Sequence, residues 1–270
     1  MVQVWNGDGR SLATFQGHTG AISQANFSPD GQRIVTASAD HTACVWNISN
    51  GRLLATLQGH TDAIYHAAFS PDGQLIVTAS KDRTARVWNS ADGHLQAILQ
   101  GHTDKVWRAA FSPDSRRIVT ASHDHTARVW DSTNGRLLAT LVGHSDLVDA
   151  AEFSPDGQHI MTASWDHTAR VWNSADGRLL AVLPGHTSKL VSAAFSPDGQ
   201  RIVTASSDQT ARVWSNTDYS LLAALRGHEG EVWQAAFSSN GQRIVTASLD
   251  NTARVWQVVT LDDIEAILAK

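Results

Sequence analysis

A 42-residue repeat dominates this 270-residue sequence. Six copies of the dipeptide Gly-His are spaced 42 residues apart without a slip, and their histidines are His18, His60, His102, His144, His186 and His228. Val-Trp keeps the same period at Trp46, Trp88, Trp130, Trp172, Trp214 and Trp256, and a further Val-Trp ends at Trp5. Seven of the ten tryptophans therefore belong to the repeat. Units this short cannot bury a core alone, so the sequence predicts a stack of repeated units.

Each repeat contains four short runs of apolar and β-branched residues, which predict β-strands. In the second copy these runs span 63–69, 75–80, 84–88 and 95–99, and a Ser-Pro-Asp-Gly turn separates the first two. The second run, Ile-Val-Thr-Ala-Ser, is apolar on both faces, as expected for a sheet that lies between two others. No segment of the array shows a competing helical period. The pattern predicts four-stranded blades arranged around an axis.

These motifs closely resemble the WD40 β-propeller family. The resemblance rests on motifs that, in the second copy, read Gly59-His60, Ala68-Phe69-Ser70-Pro71-Asp72-Gly73, Thr78-Ala79-Ser80, Asp82 and Val87-Trp88. It covers residues 2–256, and the uniformity of the copies is similar to that of arrays in bacterial multidomain signalling proteins. It implies an all-β WD40 propeller over residues 1–256, with six complete four-stranded blades and an N-terminal partial blade. We number the blades 1 to 6 after the copies.

Composition excludes several other classes of protein. The net charge of −5 argues against a general binder of nucleic acid, which needs an excess of Lys and Arg. A single cysteine, Cys44, excludes internal disulfides and Cys-rich zinc modules. No apolar run is long enough to span a bilayer, and the first residues do not read as a secretion signal. We therefore expect a cytoplasmic protein that binds neither nucleic acid nor membrane and holds no cofactor.

The resemblance implies a structural tetrad in each blade, hydrogen-bonded from Trp to Ser, Ser to His and His to Asp. Such a chain satisfies a buried indole and a buried imidazole, and it would tie the loop before the first strand to the turn after the second. The six predicted tetrads are His18, Ser38, Asp40 and Trp46; His60, Ser80, Asp82 and Trp88; His102, Ser122, Asp124 and Trp130; His144, Ser164, Asp166 and Trp172; His186, Ser206, Asp208 and Trp214; and His228, Ser248, Asp250 and Trp256.

Catalytic, metal-binding and nucleic-acid-binding interpretations of the repeated residues have less support than this structural interpretation. Ser, His and Asp could form a hydrolase triad, but six identical sites and no nucleophile-elbow glycines around the Ser argue against catalysis. A metal site would draw on His123 and His125, which flank Asp124, and on His41 and His167, which occupy the position of His125 in other copies, yet no ligand spacing supports one. Five arginines two residues before the Trp could contact nucleic acid, but packing between blades is the favoured interpretation: Arg86, Arg128, Arg170, Arg212 and Arg254.

Three positions differ freely between copies, and function is expected there. They lie three and five residues after the repeat His and just before the tetrad Asp. In the WD40 family these positions lie on the top face, around the entrance to the central channel, where partners bind. The predicted partner-binding residues are Tyr65, Trp107, Trp165, Trp233, Lys81, Lys105, His123, Leu147, Asp149, Lys189, Val191, Glu231 and Leu249. The three non-repeat tryptophans all fall in this set and are predicted to be exposed, unlike the repeat tryptophans. Drift between duplicated copies is the alternative explanation.

Ring closure has two alternatives. Val2–Trp5 and Ser11–Phe15 match the third and fourth strands of a blade. In the favoured arrangement Ser11–Phe15 completes blade 6 and closes a six-bladed ring. In the rival arrangement the ring has seven positions and an N-terminal blade without its inner strands. This chain could also be the end of a longer array. Residues 257–270 predict a tail with a short helix, capped by Thr260, with Leu261, Ile264 and Leu268 on one apolar side.

The sequence therefore predicts a non-catalytic scaffold that presents an aromatic-rich top face to a protein or peptide. Two alternatives belong to a different class. The chain could be the sensor part of a larger signalling enzyme whose catalytic domain lies elsewhere, or it could be a propeller-type enzyme. No nucleotide-binding loop, metal cluster or isolated acid pair supports catalysis within these residues.

Overall fold

The computed structural model describes residues 2–258, which form 25 β-strands and contain no helix that could cross a membrane. The N-terminal hairpin consists of β1 (Val2–Trp5) and β2 (Ser11–Phe15). The strands of blades 1 to 3 are β3 (Ile22–Phe27), β4 (Arg33–Ser38), β5 (Thr42–Asn47) and β6 (Leu53–Gln58); β7 (Ile64–Phe69), β8 (Leu75–Ser80), β9 (Thr84–Asn89) and β10 (Leu95–Gln100); and β11 (Val106–Phe111), β12 (Arg117–Ser122), β13 (Ala127–Asp131) and β14 (Leu137–Leu141).

The strands of blades 4 to 6 follow the same order. They are β15 (Val148–Phe153), β16 (His159–Ser164), β17 (Ala169–Asn173) and β18 (Leu179–Leu183); β19 (Leu190–Phe195), β20 (Arg201–Ser206), β21 (Ala211–Ser215) and β22 (Leu221–Leu225); and β23 (Val232–Phe237), β24 (Arg243–Ser248) and β25 (Ala253–Gln257). Neighbouring strands pair antiparallel in chain order within each blade. The all-β propeller architecture predicted from the repeat is confirmed.

The Ser-Pro-Asp-Gly turn explains why the first two strands of a blade pair so closely. In blade 2 the N–H of Gly73 donates to the carbonyl oxygen of Ser70 (2.8 Å), and the Ser70 hydroxyl oxygen accepts from the N–H of Leu75 (2.9 Å). Gly73 adopts a φ of 73°, which glycine tolerates without strain. Asp72 accepts the N–H of Gln74, so local hydrogen bonds fix this tight connection.

Blades pack face to face around a central channel. The inner strands pack in the order β3 on β7, β7 on β11, β11 on β15, β15 on β19 and β19 on β23. Each interface joins the second, third and fourth strands of one blade to the first three strands of the next. Between blades 2 and 3, for example, Val77, Val87 and Leu99 pack against Ile118 and Trp130. Burial on both faces is why the second strand is apolar throughout.

The predicted closure by Ser11–Phe15 is wrong for the described part of the chain. Strand β2 pairs with β1, opposite Val2 to Val4, and blade 6 has only β23, β24 and β25 among residues 2–258. The hairpin covers blade 1, where Val4 and Phe15 pack with Trp46. Asn6 accepts N–H groups of Asp8 and Arg10 in the connecting turn, so the pairing closes over a very short loop. The rival seven-position arrangement, with a partial N-terminal blade, describes this pairing.

One face of blade 6 consequently has no neighbouring blade among the described residues. Val245 is 44% exposed and Val255 is 67% exposed, whereas the equivalent valines of blade 3, Val119 and Val129, are buried. Burial along β24 alternates, as expected when a sheet is covered on one side only. The predicted helical tail falls almost entirely in residues 259–270, outside the described residues, and the domain boundary at residue 256 stays a prediction.

Candidate functional site

A chain of hydrogen bonds crosses each blade, and blade 3 shows its geometry. The indole Nε1 of Trp130 donates to the Thr120 hydroxyl oxygen (2.8 Å), which also lies 2.8 Å from Nε2 of His102. Nδ1 of His102 lies 2.7 Å from Oδ2 of Asp124. Because burial lowers the pKa of His102, the ring is neutral at pH 7: its Nδ1–H donates to the carboxylate and Nε2 accepts from Thr120.

The predicted serine in this chain is wrong in all six blades, because a threonine two residues earlier takes its place. The threonines are Thr36, Thr78, Thr120, Thr162, Thr204 and Thr246. The six serines that the prediction placed there are Ser38, Ser80, Ser122, Ser164, Ser206 and Ser248. Trp130 lies opposite Ile118 in the β12–β13 pairing, so Thr120 is its diagonal neighbour and Ser122 is four residues away.

The serine has a different structural task. The Ser122 hydroxyl donates to the backbone oxygens of Asp104 and Lys105, and its oxygen accepts the N–H of Asp124. It therefore fixes the turn that carries the aspartate. Asp124 accepts further hydrogen bonds from the N–H groups of Thr103 and Thr126. Burial alone would raise the pKa of Asp124, but the hydrogen bonds from His102 and Thr126 outweigh it and hold the pKa well below its usual range.

The arginines before the repeat tryptophans pack against the glycine of the Gly-His pair, and their predicted packing between blades stays a prediction. Nη1 of Arg128 lies so close to Gly101 that a Cβ there would be 2.5 Å from it, which explains the glycine of the Gly-His pair. Nη2 of Arg128 lies 4.0 Å from Oδ2 of Asp124. In blade 1 Cys44 stands at the arginine position, and the Trp46 ring lies against Gly17 instead. These side chains are therefore part of the blade structure and do not form a ring on the surface.

The histidines considered for a metal site lie in two different environments. Equivalent turn positions with φ near 70° are occupied by His41, His125 and His167, and these side chains are exposed. His123 is buried and bonds to a carboxylate instead. Residues 2–258 contain no group of three His, Cys, Asp or Glu side chains arranged to hold a metal ion.

The variable position five residues after the His is a β-bulge in every blade. In blade 3 Val106 pairs with Ser122 and Arg108 with Ala121, so Trp107 has no partner on the neighbouring strand. The bulge residues of the six blades are Ser23, Tyr65, Trp107, Asp149, Val191 and Trp233. A bulge redirects its side chain away from the regular alternation, which places these residues where they can vary without disturbing the sheet.

The other two variable positions are joined by a backbone hydrogen bond. In blade 3 the N–H of His123 donates to the carbonyl oxygen of Lys105 (3.1 Å), and in blade 4 the N–H of Trp165 donates to that of Leu147 (2.9 Å). The same bond occurs in blades 1, 2, 5 and 6. All three variable positions of a blade therefore lie together beside the tetrad aspartate, on a surface held by backbone bonds.

On blades 2 to 4 the variable side chains form a continuous aromatic array: Tyr65, Trp107, His123 and Trp165. Ring centroids are separated by 4.5 Å between Tyr65 and Trp107, 5.4 Å between Trp107 and His123, and 6.2 Å between His123 and Trp165. Lys105 lies over the Trp107 ring at 5.9 Å and Lys189 over the Trp165 ring at 4.5 Å. The array thus crosses two blade interfaces, with a cation over each tryptophan.

Asp149 fixes the orientation of half the array. Its Oδ2 accepts from Nε1 of Trp165 (2.7 Å), and its Oδ1 lies 3.1 Å from Nε2 of His123. The carboxylate is buried, so these two bonds satisfy a group that would otherwise be costly to bury. Because His123 belongs to blade 3 and Asp149 to blade 4, the contact also links the two blades.

The remaining predicted residues lie outside the aromatic array. Lys81 pairs with Asp62 at 3.4 Å, and Glu231 accepts a hydrogen bond from Ser207, a residue that the prediction did not include. The side chains of Leu147 and Val191 are half-buried, and that of Leu249 is exposed. Trp233 is 50% exposed.

The exposure prediction holds for one non-repeat tryptophan. Trp233 is exposed, whereas Trp107 and Trp165 are half-buried against their neighbours in the aromatic array. The repeat tryptophans of blades 1 to 5 are buried as predicted. Two repeat tryptophans depart from the prediction: Trp5 is 55% exposed and Trp256 is half-buried. Both lie in sheets that have fewer than four strands within residues 2–258, so fewer neighbouring side chains cover them.

A fourth variable position was missed by the sequence reasoning. It follows the bulge directly and holds Gln24, His66, Arg108, Ala150, Ser192 and Gln234. Aligning the copies one residue further would have revealed it. Four of these side chains line a cavity together with the two bulge aromatics Tyr65 and Trp107.

Comparison with known proteins identifies the repeat. The family model described as WD domain, G-beta repeat matches residues 9–47, 51–89, 93–131, 135–173, 177–215 and 219–257. The chain belongs to the WD40 repeat family. Among curated relatives, eukaryotic translation initiation factor 3 subunit I of Aspergillus niger is 43% identical over 44 residues, which is 16% of this chain and 13% of that protein. The POC1 centriolar protein homolog of Drosophila melanogaster is 49% identical over 35 residues, or 13% of this chain and 9% of that protein. These matches extend over about one WD40 repeat and a small part of each relative.

Proposed function

We propose that this WD40 chain is a non-catalytic scaffold that binds a protein or peptide through the aromatic array on its top face. The observation that carries the proposal is the continuity of Tyr65, Trp107, His123 and Trp165 across blades 2 to 4. Drift between duplicated copies would place unrelated side chains at these positions. An array bonded to a buried Asp149 is instead a joint feature of three copies.

Physical chemistry favours this array as a binding surface. Aromatic rings supply large contact areas at low entropic cost, and they dominate the energetics of many protein interfaces. Here the bonds from Asp149 hold Trp165 and His123 before any partner arrives. The entropic cost of ordering these side chains on binding would therefore be small. The lysines Lys105 and Lys189 add positive charge at the margin of an otherwise acidic protein.

The hydrogen bonding of the tetrads supports a non-catalytic role. In a Ser-His-Asp triad the serine hydroxyl must bond to the histidine. Here the hydroxyl beside His102 belongs to Thr120, which also accepts from Trp130, and Ser122 bonds to the backbone. One relative is a subunit of a translation initiation factor, which is consistent with a scaffold. The cytoplasmic location stays a prediction.

Selection of random 12-residue peptides displayed on phage tests the proposal directly. Wild-type protein is expected to enrich peptides whose binding falls roughly 30-fold, or about 2 kcal/mol, in the double variant Trp107→Ala, Trp165→Ala. Trp233→Ala is the matched control, because it removes an exposed indole outside the aromatic array. Circular dichroism melts check that both variants fold. Equal binding to wild type and double variant would refute the array as the binding surface.

A further inference from the structure

The channel mouth is a cavity of about 390 Å³ beside the aromatic array. We define it by Gln24, Tyr65, His66, Trp107, Arg108 and Gln234. Tyr65 and Trp107 are bulge residues shared with the array, and the other four occupy the variable position next to them in blades 1, 2, 3 and 6. Blades 4 and 5 have only Ala150 and Ser192 there. The polar side chains therefore converge on one side of the channel.

The polar groups of the channel mouth are left without partners inside the protein. Within residues 2–258, the half-buried Arg108 and Gln24 and the exposed Gln234 line the cavity and make no side-chain hydrogen bond to the protein. Nδ1 of His66 is buried and also lacks a partner. A buried polar atom normally has a partner, so the unpartnered Nδ1 of His66, in a cavity lined by further hydrogen-bond donors, points to an external ligand.

The charge of the channel mouth is positive. Arg108 is the one charged group among its lining residues, since burial, and then the nearby Arg108, lower the pKa of His66 to about 3 and keep the imidazole neutral. Arg108 also acts on the buried Glu152, which does not line the cavity. Burial raises the pKa of Glu152 to about 7, against the opposing effects of the Phe195 N–H and Arg108. Burial therefore disfavours the charged form of Glu152, which weakens its compensation of Arg108.

These features define the chemistry of the ligand. A single guanidinium with further amide donors matches the two oxygens of a carboxylate, which accepts a bidentate pair of hydrogen bonds. The rings of Tyr65 and Trp107 would pack against the chain on either side of that group. A cationic side chain would meet Arg108 with no compensating carboxylate in the lining.

We infer that the channel mouth binds a carboxylate of the partner, supplied by an Asp or Glu side chain of a peptide that also lies on the aromatic array. The assignment of the carboxylate to a peptide rests on the proposed function. The site itself rests on Arg108 and its neighbours. Arg108 is the recognition residue, and Gln24, Gln234 and His66 complete the set of polar groups around the bound oxygens.

Direct titration of the protein, followed by NMR, tests the site. The probes are three blocked tripeptides, Ac-Gly-Asp-Gly-NH2, its Asn counterpart and its phosphoserine counterpart. We expect the Asp peptide to shift the Nε–H signal of Arg108 and the Nε1–H signal of Trp107, with at least tenfold weaker binding of the Asn peptide. Arg108→Gln should abolish the shifts. Arg178→Gln, which changes an exposed arginine outside the channel, should keep them.

Three results would overturn the inference: equal shifts with the Asn peptide, unchanged binding by Arg108→Gln, or tighter binding of the phosphoserine peptide, which would assign the site to phosphate. The phage selection separates this inference from the proposed function. If the selected peptides depend on the aromatic array, contain no acidic position and bind Arg108→Gln as well as wild type, the proposed function stands and the carboxylate site is refuted. If no array-dependent peptide is found but the Asp tripeptide still binds at Arg108, the site stands and the proposed function fails.

Discussion

Blade 3 and blade 6 share the repeat motifs and the same tetrad hydrogen bonds, yet the burial of their apolar faces differs sharply. Trp130 donates to Thr120 over 2.8 Å, and Trp256 donates to Thr246 over 2.9 Å. In contrast, Val129 is buried and Val255 is 67% exposed. The hydrogen-bond chain therefore forms within a blade, whereas apolar burial depends on the next blade in the ring.

This difference separates two sources of stability. The tetrad hydrogen bonds specify the shape of one blade, and they need no neighbour. The valines contribute by leaving water, so they stabilise the protein only where another blade covers them. Substitutions at matched positions of blades 3 and 6 can tell the two contributions apart.

The largest contrast is expected for an aspartate on the two faces. Val129→Asp would bury an unpaired charge and should cost more than about 4 kcal/mol, enough to prevent folding. Val255→Asp should change the free energy of unfolding by only ~0.5 kcal/mol, because the side chain remains in water. Urea denaturation and the yield of folded protein measure both. A comparable loss in the two variants would mean that blade 6 is covered in solution.

Deletion of residues 1–16 is the next largest change. It removes Val4 and Phe15, which cover Trp46, and should destabilise the protein by about 2–5 kcal/mol. Hydrogen exchange locates the effect: amides of β4 and β5 should exchange faster, and those of β25 should not change. Phe15→Ala is the milder control and should affect the same strands. Faster exchange in β25 instead would show that Ser11–Phe15 completes blade 6.

The contrast between blades also explains which parts of the fold could be predicted from sequence. The strands were predictable because turn residues such as Pro71 and Gly73 and the apolar runs around them recur at one period. The ends of the array were not, because their pairing depends on a competition between two edges. The hairpin of Val2–Trp5 with Ser11–Phe15 closes locally, and its spacing alone cannot show that this pairing is preferred to pairing with β25.

The candidate site was predictable in part for a similar reason. Comparing copies found the variable residues, including Trp107 and Asp149, because substitutions there leave the fold intact. The bonds from Asp149 to His123 and Trp165 join different blades, so they follow from the arrangement around the axis. The Ser-for-Thr error has a simpler cause. Both residues follow the same period, and only the β12–β13 register shows that Thr120 is the one within reach of Trp130.

Removal of single hydroxyl groups tests that correction. Thr120→Val leaves Trp130 and His102 without their shared partner and should cost about 1–3 kcal/mol. Its signature is the Trp130 Nε1–H signal, which should shift and exchange faster with solvent. Ser122→Ala also loses hydrogen bonds, but it should leave that indole signal unchanged. The equivalent variants in blade 6, Thr246→Val and Ser248→Ala, should give the same results as those in blade 3 if the hydrogen-bond chain is independent of neighbouring blades.

The smallest expected effect is the pH dependence of the His–Asp pair. The folded-state pKa values of Asp124 and His102 both lie below their ordinary values, so the unfolded chain binds protons more readily. Stability is therefore lost as the pH falls below about 6.5 for the histidine and below about 4 for the aspartate. Asp124→Asn should be less stable than wild type at pH 7, and this difference in the free energy of unfolding should shrink by ~1 kcal/mol towards pH 3.

Asp250, in blade 6, provides the comparison. Its pKa is also lowered, chiefly by the hydrogen bond that it accepts from the Thr252 hydroxyl. Asp250→Asn should show the same direction of change in urea denaturation at pH 3, 5 and 7. A deficit in blade 3 that stays constant with pH would contradict a charged Asp124 in the folded protein, and a narrowing in blade 3 alone would show that the tetrads depend on the neighbouring blade after all.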